Sequence, residues 1–173
     1  MRKVVKFGGS SLASAQQFEK VGNIIRAEKT RKFVVPSAPG KRFSDDIKVT
    51  DMLYACYALA EEGKDFKKEL AAIKARYEEI ITGLKLDLSL DEEFKQIEKD
   101  FKAKAGDNYA ASRGEFLNGK IMAAYLGYNF VDPAECVFFT EEGEFDAEKT
   151  NVALAEKLQK LENAVVPGFY GSL

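Results

Sequence analysis

Residues 6–10, with the sequence Lys-Phe-Gly-Gly-Ser, combine a side chain and a backbone that could hold a phosphate group. The lysine supplies positive charge, and the two glycines let backbone N–H groups approach an anion closely. The stretch ends a short apolar run, Val4–Phe7, and precedes a predicted helix beginning near Ser11, whose first amides and dipole favour negative charge. The sequence therefore predicts a phosphate cradle, although an ordinary strand–turn–helix corner would use the same glycines.

Glu115 is a second residue that could do chemistry. Ser112, Glu115 and Asn118 follow one another at intervals of three and so share one polar stripe of a predicted helix. A carboxylate on such a stripe could belong to a functional site. It could equally be a surface carboxylate paired with Arg113 or Lys120, and the sequence leaves both interpretations open.

Two glycines, Gly114 and Gly119, lie inside the same predicted helix. Each costs a helix about 1 kcal/mol relative to alanine. We therefore expect another helix or a ligand to approach the helix backbone closely at these two positions.

The chain contains no histidine, which excludes several kinds of catalytic site. A Ser-His-Asp triad, a Cys-His dyad and an H-E-x-x-H zinc site all need that residue. Lysine, carboxylates, backbone amides and metal ions remain. Phosphoryl transfer is compatible with this set, because its catalysis consists mostly of positioning and charge stabilisation.

Composition indicates one cytoplasmic domain. The chain has 173 residues with 26 Lys+Arg and 28 Asp+Glu, which suits a single core and gives no basic stripe for nucleic acid. We find no apolar run long enough to span a membrane and no signal-peptide pattern. Cys56 and Cys136 are predicted to be buried, free thiols, as expected in a reducing compartment.

The hydrophobic pattern predicts an α/β fold with a mainly parallel sheet. A strand at Val4–Phe7, a helix at 12–29 and a strand at Phe33–Val35 form a β-α-β unit. The polar, glycine-bearing loops 8–11 and 36–41 then lie at the carboxyl ends of two parallel strands, where open α/β sheets bind ligands. Later elements are predicted at 50–61 (helix), 107–126 (helix), 129–131 (strand), 136–140 (strand), 147–161 (helix) and 164–166 (strand).

A segment at about 62–105 has a different character, rich in Lys and Glu with two apolar stripes of helical period. It is predicted to be a helical hairpin packed on the flank of the sheet. The hairpin could be a lid over a site or a solvated elaboration of the fold.

Four stretches together resemble the aspartate kinases of the amino acid kinase superfamily. Residues 6–11 (Lys-Phe-Gly-Gly-Ser-Ser) resemble the opening of that family, and residues 37–41 (Ser-Ala-Pro-Gly-Lys) its second-strand loop. Residues 112–115 (Ser-Arg-Gly-Glu) resemble its substrate-binding helix, and residues 167–171 (Pro-Gly-Phe-Tyr-Gly) a later strand end. The resemblance implies the αβα sandwich of this family.

The resemblance also implies ATP-dependent phosphorylation of the side-chain carboxylate of L-aspartate, with Mg²⁺. Lys6 would be the catalytic lysine. Thr50 and Glu115 would bind aspartate, the glutamate through the α-amino group, since a carboxylate facing an ammonium is a strong pair. No residue is assigned to a metal. The residues expected to bind the ATP phosphates are Lys6, Phe7, Gly8, Gly9, Ser10 and Ser37.

The resemblance covers only the N-terminal, amino-acid-binding part of an aspartate kinase. The nucleotide-binding remainder and the regulatory ACT domains are expected beyond Leu173. Two alternatives stay open: a non-catalytic fragment, and another amino acid kinase acting on glutamate, N-acetylglutamate or a nucleoside monophosphate. The full-length protein is expected to be a homo-oligomer.

Overall fold

The computed structural model describes all residues from Met1 to Leu173. It has four strands, six α-helices and two short 3-10 helices at Gly9–Leu12 and Pro133–Glu135. The strands are β1 (Lys3–Phe7), β2 (Arg31–Pro36), β3 (Asn129–Phe130) and β4 (Ala164–Val165). The helices are α1 (Ala15–Arg26), α2 (Val49–Glu61), α3 (Lys67–Gly83), α4 (Asp91–Lys102), α5 (Asp107–Leu126) and α6 (Ala147–Gln159).

The four strands form one sheet in the order β1-β2-β4-β3, and every neighbouring pair is parallel. Helices cover both faces of this sheet. Val34 of β2 points into a cluster of 26 buried residues shared with α1 to α5, whereas its neighbour Phe33 joins a cluster of 5 buried residues against which α6 packs. Because successive side chains of a strand point to opposite faces, α6 forms a separate third layer. The predicted α/β sandwich is confirmed.

The turn after β1 differs from the prediction of one helix over 12–29. Residues Gly9–Leu12 form a 3-10 helix, and α1 begins only at Ala15. Ser14 has an extended backbone and its side chain accepts a hydrogen bond from the Gln17 N–H, which caps α1. The dipole of α1 therefore does not start at the glycines, where a 3-10 helix begins instead.

The predicted strand at 136–140 does not form. Phe138 and Phe139 make only isolated bridges, with Ser172 and Phe145. The N–H of Phe138 donates to the Thr150 hydroxyl of α6 at 2.9 Å, so a side chain takes the place of a neighbouring strand.

The helical hairpin consists of α3 and α4, and it packs on helices rather than on the flank of the sheet. Helix α3 contacts α1, α2 and α5, and α4 contacts α2 and α5. Ile73, Tyr77, Ile97 and Phe101 belong to the main core and are at most 1% exposed. The hairpin is therefore neither a lid nor a solvated elaboration but a part of the core.

No helix has both the length and the hydropathy needed to cross a lipid bilayer. Both cysteines are free and buried, as the sequence predicted.

Candidate functional site

Three loops meet at the carboxyl edge of the parallel sheet, after β1, β2 and β4. They are joined by backbone hydrogen bonds: Ser37 N–H donates to Phe7 O at 3.0 Å, and Gly168 N–H donates to Pro36 O at 3.3 Å. This is the edge at which α/β sheets bind ligands, and it holds the sequence-predicted loops 8–11 and 36–41.

The loops after β1 and β2 are in direct backbone contact at Gly9. A Cβ atom at this position would lie 2.8 Å from the carbonyl oxygen of Ala38 and 3.0 Å from the amide nitrogen of Gly40. Side chains larger than hydrogen are therefore excluded here. Gly8 differs, because a Cβ there would meet nothing within 4 Å. Its N–H donates to no acceptor in the chain and is a free donor.

Lys6 lies beside this turn and is exposed. Its Nζ is 4.4 Å from the ring centroid of Phe169, a residue of the third loop with a left-handed backbone (φ 67°). No salt bridge involves Lys6. An exposed ammonium without a carboxylate partner, next to a free backbone donor, is suited to a phosphate group.

Glu115 is buried on α5, with 8% of its surface exposed. Its Oε1 accepts a hydrogen bond from the Ala38 N–H at 3.2 Å, which ties α5 to the loop after β2. Burial raises the pKa of the Glu115 carboxyl, and the hydrogen bond from Ala38 opposes this rise only in part. The carboxylate has no cationic partner in the chain, although buried charges in proteins are normally paired.

The interpretation of Glu115 as a surface carboxylate paired with a neighbouring cation was wrong. Lys120 pairs with Glu93 of α4. The guanidinium of Arg113 stacks instead on aromatic rings, with its carbon 4.6 Å from the ring centroid of Tyr109 and 4.4 Å from that of Phe116.

Gly114 allows the loop after β2 to approach α5. A Cβ atom there would lie 2.8 Å from the Ala38 Cβ and 3.8 Å from the Thr50 hydroxyl oxygen. Thr50 stands in the first turn of α2, so its hydroxyl lies next to the backbone that carries Glu115. The structure thus places Thr50 beside the residue that precedes Glu115.

Gly119 receives Pro167 in the same way, since a Cβ atom there would lie 2.3 Å from the proline Cγ. The expected close approach to both helix glycines is confirmed: helix α2 approaches Gly114 through Leu53, together with the loop residue Ala38, and the loop residue Pro167 approaches Gly119. Between the two glycines, Asn118 donates its Nδ2 hydrogen to the Ser37 carbonyl oxygen at 2.6 Å. Helix α5 therefore positions the β2 loop through a side chain as well as through its glycines.

A model of the amino acid kinase family matches residues 1–172. The chain belongs to the amino acid kinase family. The match spans all the loops and helices described above, so the loops at the carboxyl edge belong to an amino acid kinase domain.

Relatives in this family are aspartokinases. Aspartokinase 3 of Bacillus subtilis (strain 168) is 36% identical over 188 residues, a match that covers 98% of this chain and 40% of the relative. Clostridium acetobutylicum aspartate kinase superposes with a TM-score of 0.95 at 45% identity, over 98% of this chain and 40% of that one. The chain thus spans about 40% of the length of these relatives and corresponds to their N-terminal part.

The Escherichia coli aspartokinase III structure in complex with aspartate and ADP has a TM-score of 0.79 at 21% identity, over 99% of this chain and 41% of that one. At this identity the likeness shows the shared fold.

Two site-adjacent residues of this amino acid kinase chain, Arg76 and Tyr77 on α3, were not predicted from the sequence. Arg76 is 6% exposed and Tyr77 is fully buried. Burial lowers the pKa of Arg76, and burial together with the charge of Glu115 raises the pKa of Tyr77, so its hydroxyl remains a donor. Arg76 could have been noticed as the one arginine in a helix otherwise rich in Lys and Glu.

No three His, Cys, Asp or Glu side chains come together in a way that could hold a metal ion.

Proposed function

We propose that this chain is the amino-acid-binding part of an aspartate kinase, which transfers the γ-phosphoryl group of ATP to the side-chain carboxylate of L-aspartate. The products are 4-phospho-L-aspartate and ADP. Family membership and the aspartokinase relatives support a kinase of this class. This reaction is the first step of biosynthesis of the aspartate-family amino acids lysine, threonine and methionine.

The observation that carries the proposal is the unpaired, buried Glu115. A buried carboxylate is desolvated and needs a cation to compensate its charge. The α-ammonium group of an amino acid can supply that charge. The Thr50 hydroxyl, close to Gly114, supplies a second polar group at the same place. An N-acetylated amino acid or a nucleoside monophosphate carries no such ammonium, so Glu115 favours a free amino acid as the acceptor.

The cradle after β1 would hold the transferring phosphate. The ammonium of Lys6 would neutralise the negative charge of the phosphoryl group in flight, and electrostatic stabilisation of this kind dominates phosphoryl transfer. The free N–H of Gly8 would bind a phosphate oxygen. We assign phosphate contacts also to Phe7, Gly9, Ser10 and Ser37 of the two contacting loops. Mg²⁺ would enter with the nucleotide and neutralise its β- and γ-oxygens.

We further propose that the helical segment 62–105 is an insertion in this amino-acid-binding part, and that the nucleotide base is bound elsewhere in the complete enzyme. The isolated chain of 173 residues is then expected to turn over no ATP. Assembly as a homo-oligomer and a cytoplasmic location stay predictions from the sequence.

The test measures ADP release by the complete product of the reading frame, with hydroxylamine present to trap an acyl phosphate. L-Aspartate should support turnover, and L-glutamate, N-acetyl-L-glutamate and UMP should not. Lys6→Ala and Glu115→Ala should each lower kcat/KM at least tenfold. The matched controls Lys20→Ala and Glu19→Ala change exposed residues of α1 and should retain wild-type rates.

Wild-type rates in both site variants would refute the site assignment. Turnover with one of the other acceptors instead of L-aspartate would show that the enzyme is a kinase of that acceptor and not an aspartate kinase. Robust turnover by the 173-residue chain alone would refute its assignment as half of a site.

A further inference from the structure

Arg76 of α3 joins both ends of the loop that follows β2. Its Nη2 donates to the Gly40 carbonyl oxygen at 2.9 Å, and its Nη1 donates to the Ile47 carbonyl oxygen at 3.0 Å. The same Nη1 lies 3.2 Å from Asp46 Oδ2, an ion pair in which both side chains are at least nine-tenths buried. The planar guanidinium suits this task, since its donors have a fixed fork geometry.

A second arginine closes the loop on itself. Arg42 donates its backbone N–H and its Nε–H to Asp46 Oδ2, at 2.9 and 2.8 Å. It also pairs with Glu79 of α3 at 2.8 Å, but Glu79 is 61% exposed, so this pair contributes little energy. The buried contacts of Arg76 are therefore the ones that fix the loop relative to α3.

Tyr77, the next residue of α3, contacts α5, which forms the other wall of the site opposite the loop after β2. Its hydroxyl donates to the Gly114 carbonyl oxygen at 2.8 Å. Gly114 precedes Glu115 and packs against Ala38 of the β2 loop. Neighbouring residues of a helix point about 100° apart, which lets Arg76 and Tyr77 contact two different walls.

We propose that α3 is a wedge that sets the spacing of the amino acid site, with Arg76 positioning the loop 37–48 and Tyr77 positioning the α5 backbone at Glu115. Both are positioning residues, which act through Gly40 and Gly114 rather than on the substrate. The hydrogen bond from Ala38 N–H to Glu115 Oε1 bridges the two walls that α3 holds. The proposal rests on the proposed function, because it assumes that these walls bind the amino acid.

Stability alone gives a poor account of this arrangement. Burying a guanidinium costs desolvation energy that its partners largely offset, so the net contribution of a buried ion pair is small. The Nε of Arg76 is buried without any partner. The main effect of Arg76 is therefore geometric: it fixes the position of a loop whose residues are otherwise mostly exposed.

The first experiment compares two tyrosine variants. Tyr77→Phe removes the bond to Gly114, whereas Tyr57→Phe removes a bond to the N–H of Gly106, the residue that precedes α5 and lies about two helical turns before Gly114. Both tyrosines are at most 1% exposed, so the losses of stability are comparable. In the complete product of the reading frame, Tyr77→Phe should raise KM for L-aspartate at least fivefold with KM for ATP within twofold. Tyr57→Phe should leave both within twofold.

The second experiment needs no turnover. Gly40 N–H donates to Gly9 O, so its hydrogen exchange reports how firmly the β2 loop is held. Measured by NMR on the 173-residue chain, Arg76→Lys should accelerate exchange of this amide at least tenfold. The control Arg26→Lys alters a guanidinium that donates to the Tyr125 carbonyl oxygen at the C-terminal end of α5 and should leave this exchange unchanged.

Equal effects of Tyr77→Phe and Tyr57→Phe on KM for L-aspartate would overturn the wedge, and so would wild-type exchange of Gly40 N–H in Arg76→Lys. If the wild-type enzyme does not phosphorylate L-aspartate, the proposed function fails, and the exchange experiment still decides whether Arg76 holds the loop.

Discussion

Gly9 and Gly40 are in backbone contact across the two loops of the candidate site. The Gly40 N–H donates to the Gly9 carbonyl oxygen at 2.8 Å. A Cβ atom on Gly40 would lie 2.7 Å from the Gly9 carbonyl carbon and 2.8 Å from the Ser10 nitrogen. The atoms in the way belong to backbone, which cannot move aside as a flexible side chain can. The loops after β1 and β2 are thus held together by close backbone contact.

We predict that Gly40→Ala destabilises the chain by about 1–3 kcal/mol, the usual cost of forcing extra volume into a packed site. Equilibrium unfolding in urea measures this change. Gly8→Ala is the matched control, since a Cβ at Gly8 meets nothing within 4 Å and the Gly8 backbone (φ −78°, ψ 169°) suits alanine. Equal midpoints for wild type and Gly40→Ala would contradict the contact.

Gly8→Ala should nevertheless damage activity. The added methyl group would stand in the open space that we assign to a phosphate group, next to the free Gly8 N–H. In the complete product of the reading frame, we expect kcat/KM for ATP to fall at least tenfold while the unfolding midpoint is unchanged. Normal kinetics in this variant would show that the phosphates bind elsewhere.

The sheet edge could be predicted from the sequence because its signals are local. Short apolar strands that end in glycine-bearing loops identify the strand order of a β-α-β unit and the edge where its loops meet. The glycines at positions 114 and 119 likewise predicted that other groups approach the backbone of α5 closely. The approaching groups, Ala38 and Pro167, lie far away in the sequence, so the pattern could not name them.

The wedge could not be predicted, because it depends on long-range burial. Arg76 lies in a run of Lys and Glu and has the pattern of a surface residue. Its burial comes from the loop around Asp46, about 30 residues earlier in the chain. The strand predicted around Phe138 is the opposite case. Its apolar neighbours favour a strand, but the Phe138 N–H donates to the Thr150 hydroxyl. In each case a tertiary contact overrides a local preference.

The two cysteines should be inert in the folded chain. Burial raises the pKa of the Cys56 thiol to about 12 and also raises that of Cys136, which leaves little reactive thiolate at pH 8. Ellman's reagent should label neither residue in native buffer and both in guanidinium chloride. Ser44→Cys adds an exposed thiol as a positive control. Rapid labelling of two native thiols in wild type would contradict their burial.

Glu115 should make stability depend on pH in an unusual direction. Burial raises the pKa of its carboxyl in the folded chain above the value in the unfolded chain. Between these two values the folded state binds more protons, so stability falls as the pH rises through the folded pKa. Above its folded pKa the Glu115 carboxylate is an unpaired buried charge, which binding of an ammonium group would relieve.

Glu115→Gln tests this dependence, because glutamine keeps an oxygen that accepts the Ala38 N–H but carries no charge. We expect the variant to melt about 2 °C or more above wild type at pH 7, since about 1 kcal/mol shifts Tm by roughly 2–4 °C in a chain of this size. The difference should vanish at pH 4, where the wild-type carboxyl is protonated. L-Aspartate should raise the Tm of wild type but not of Glu115→Gln. A variant that is less stable than wild type at pH 7 would show that Glu115 already has a compensating partner within the chain.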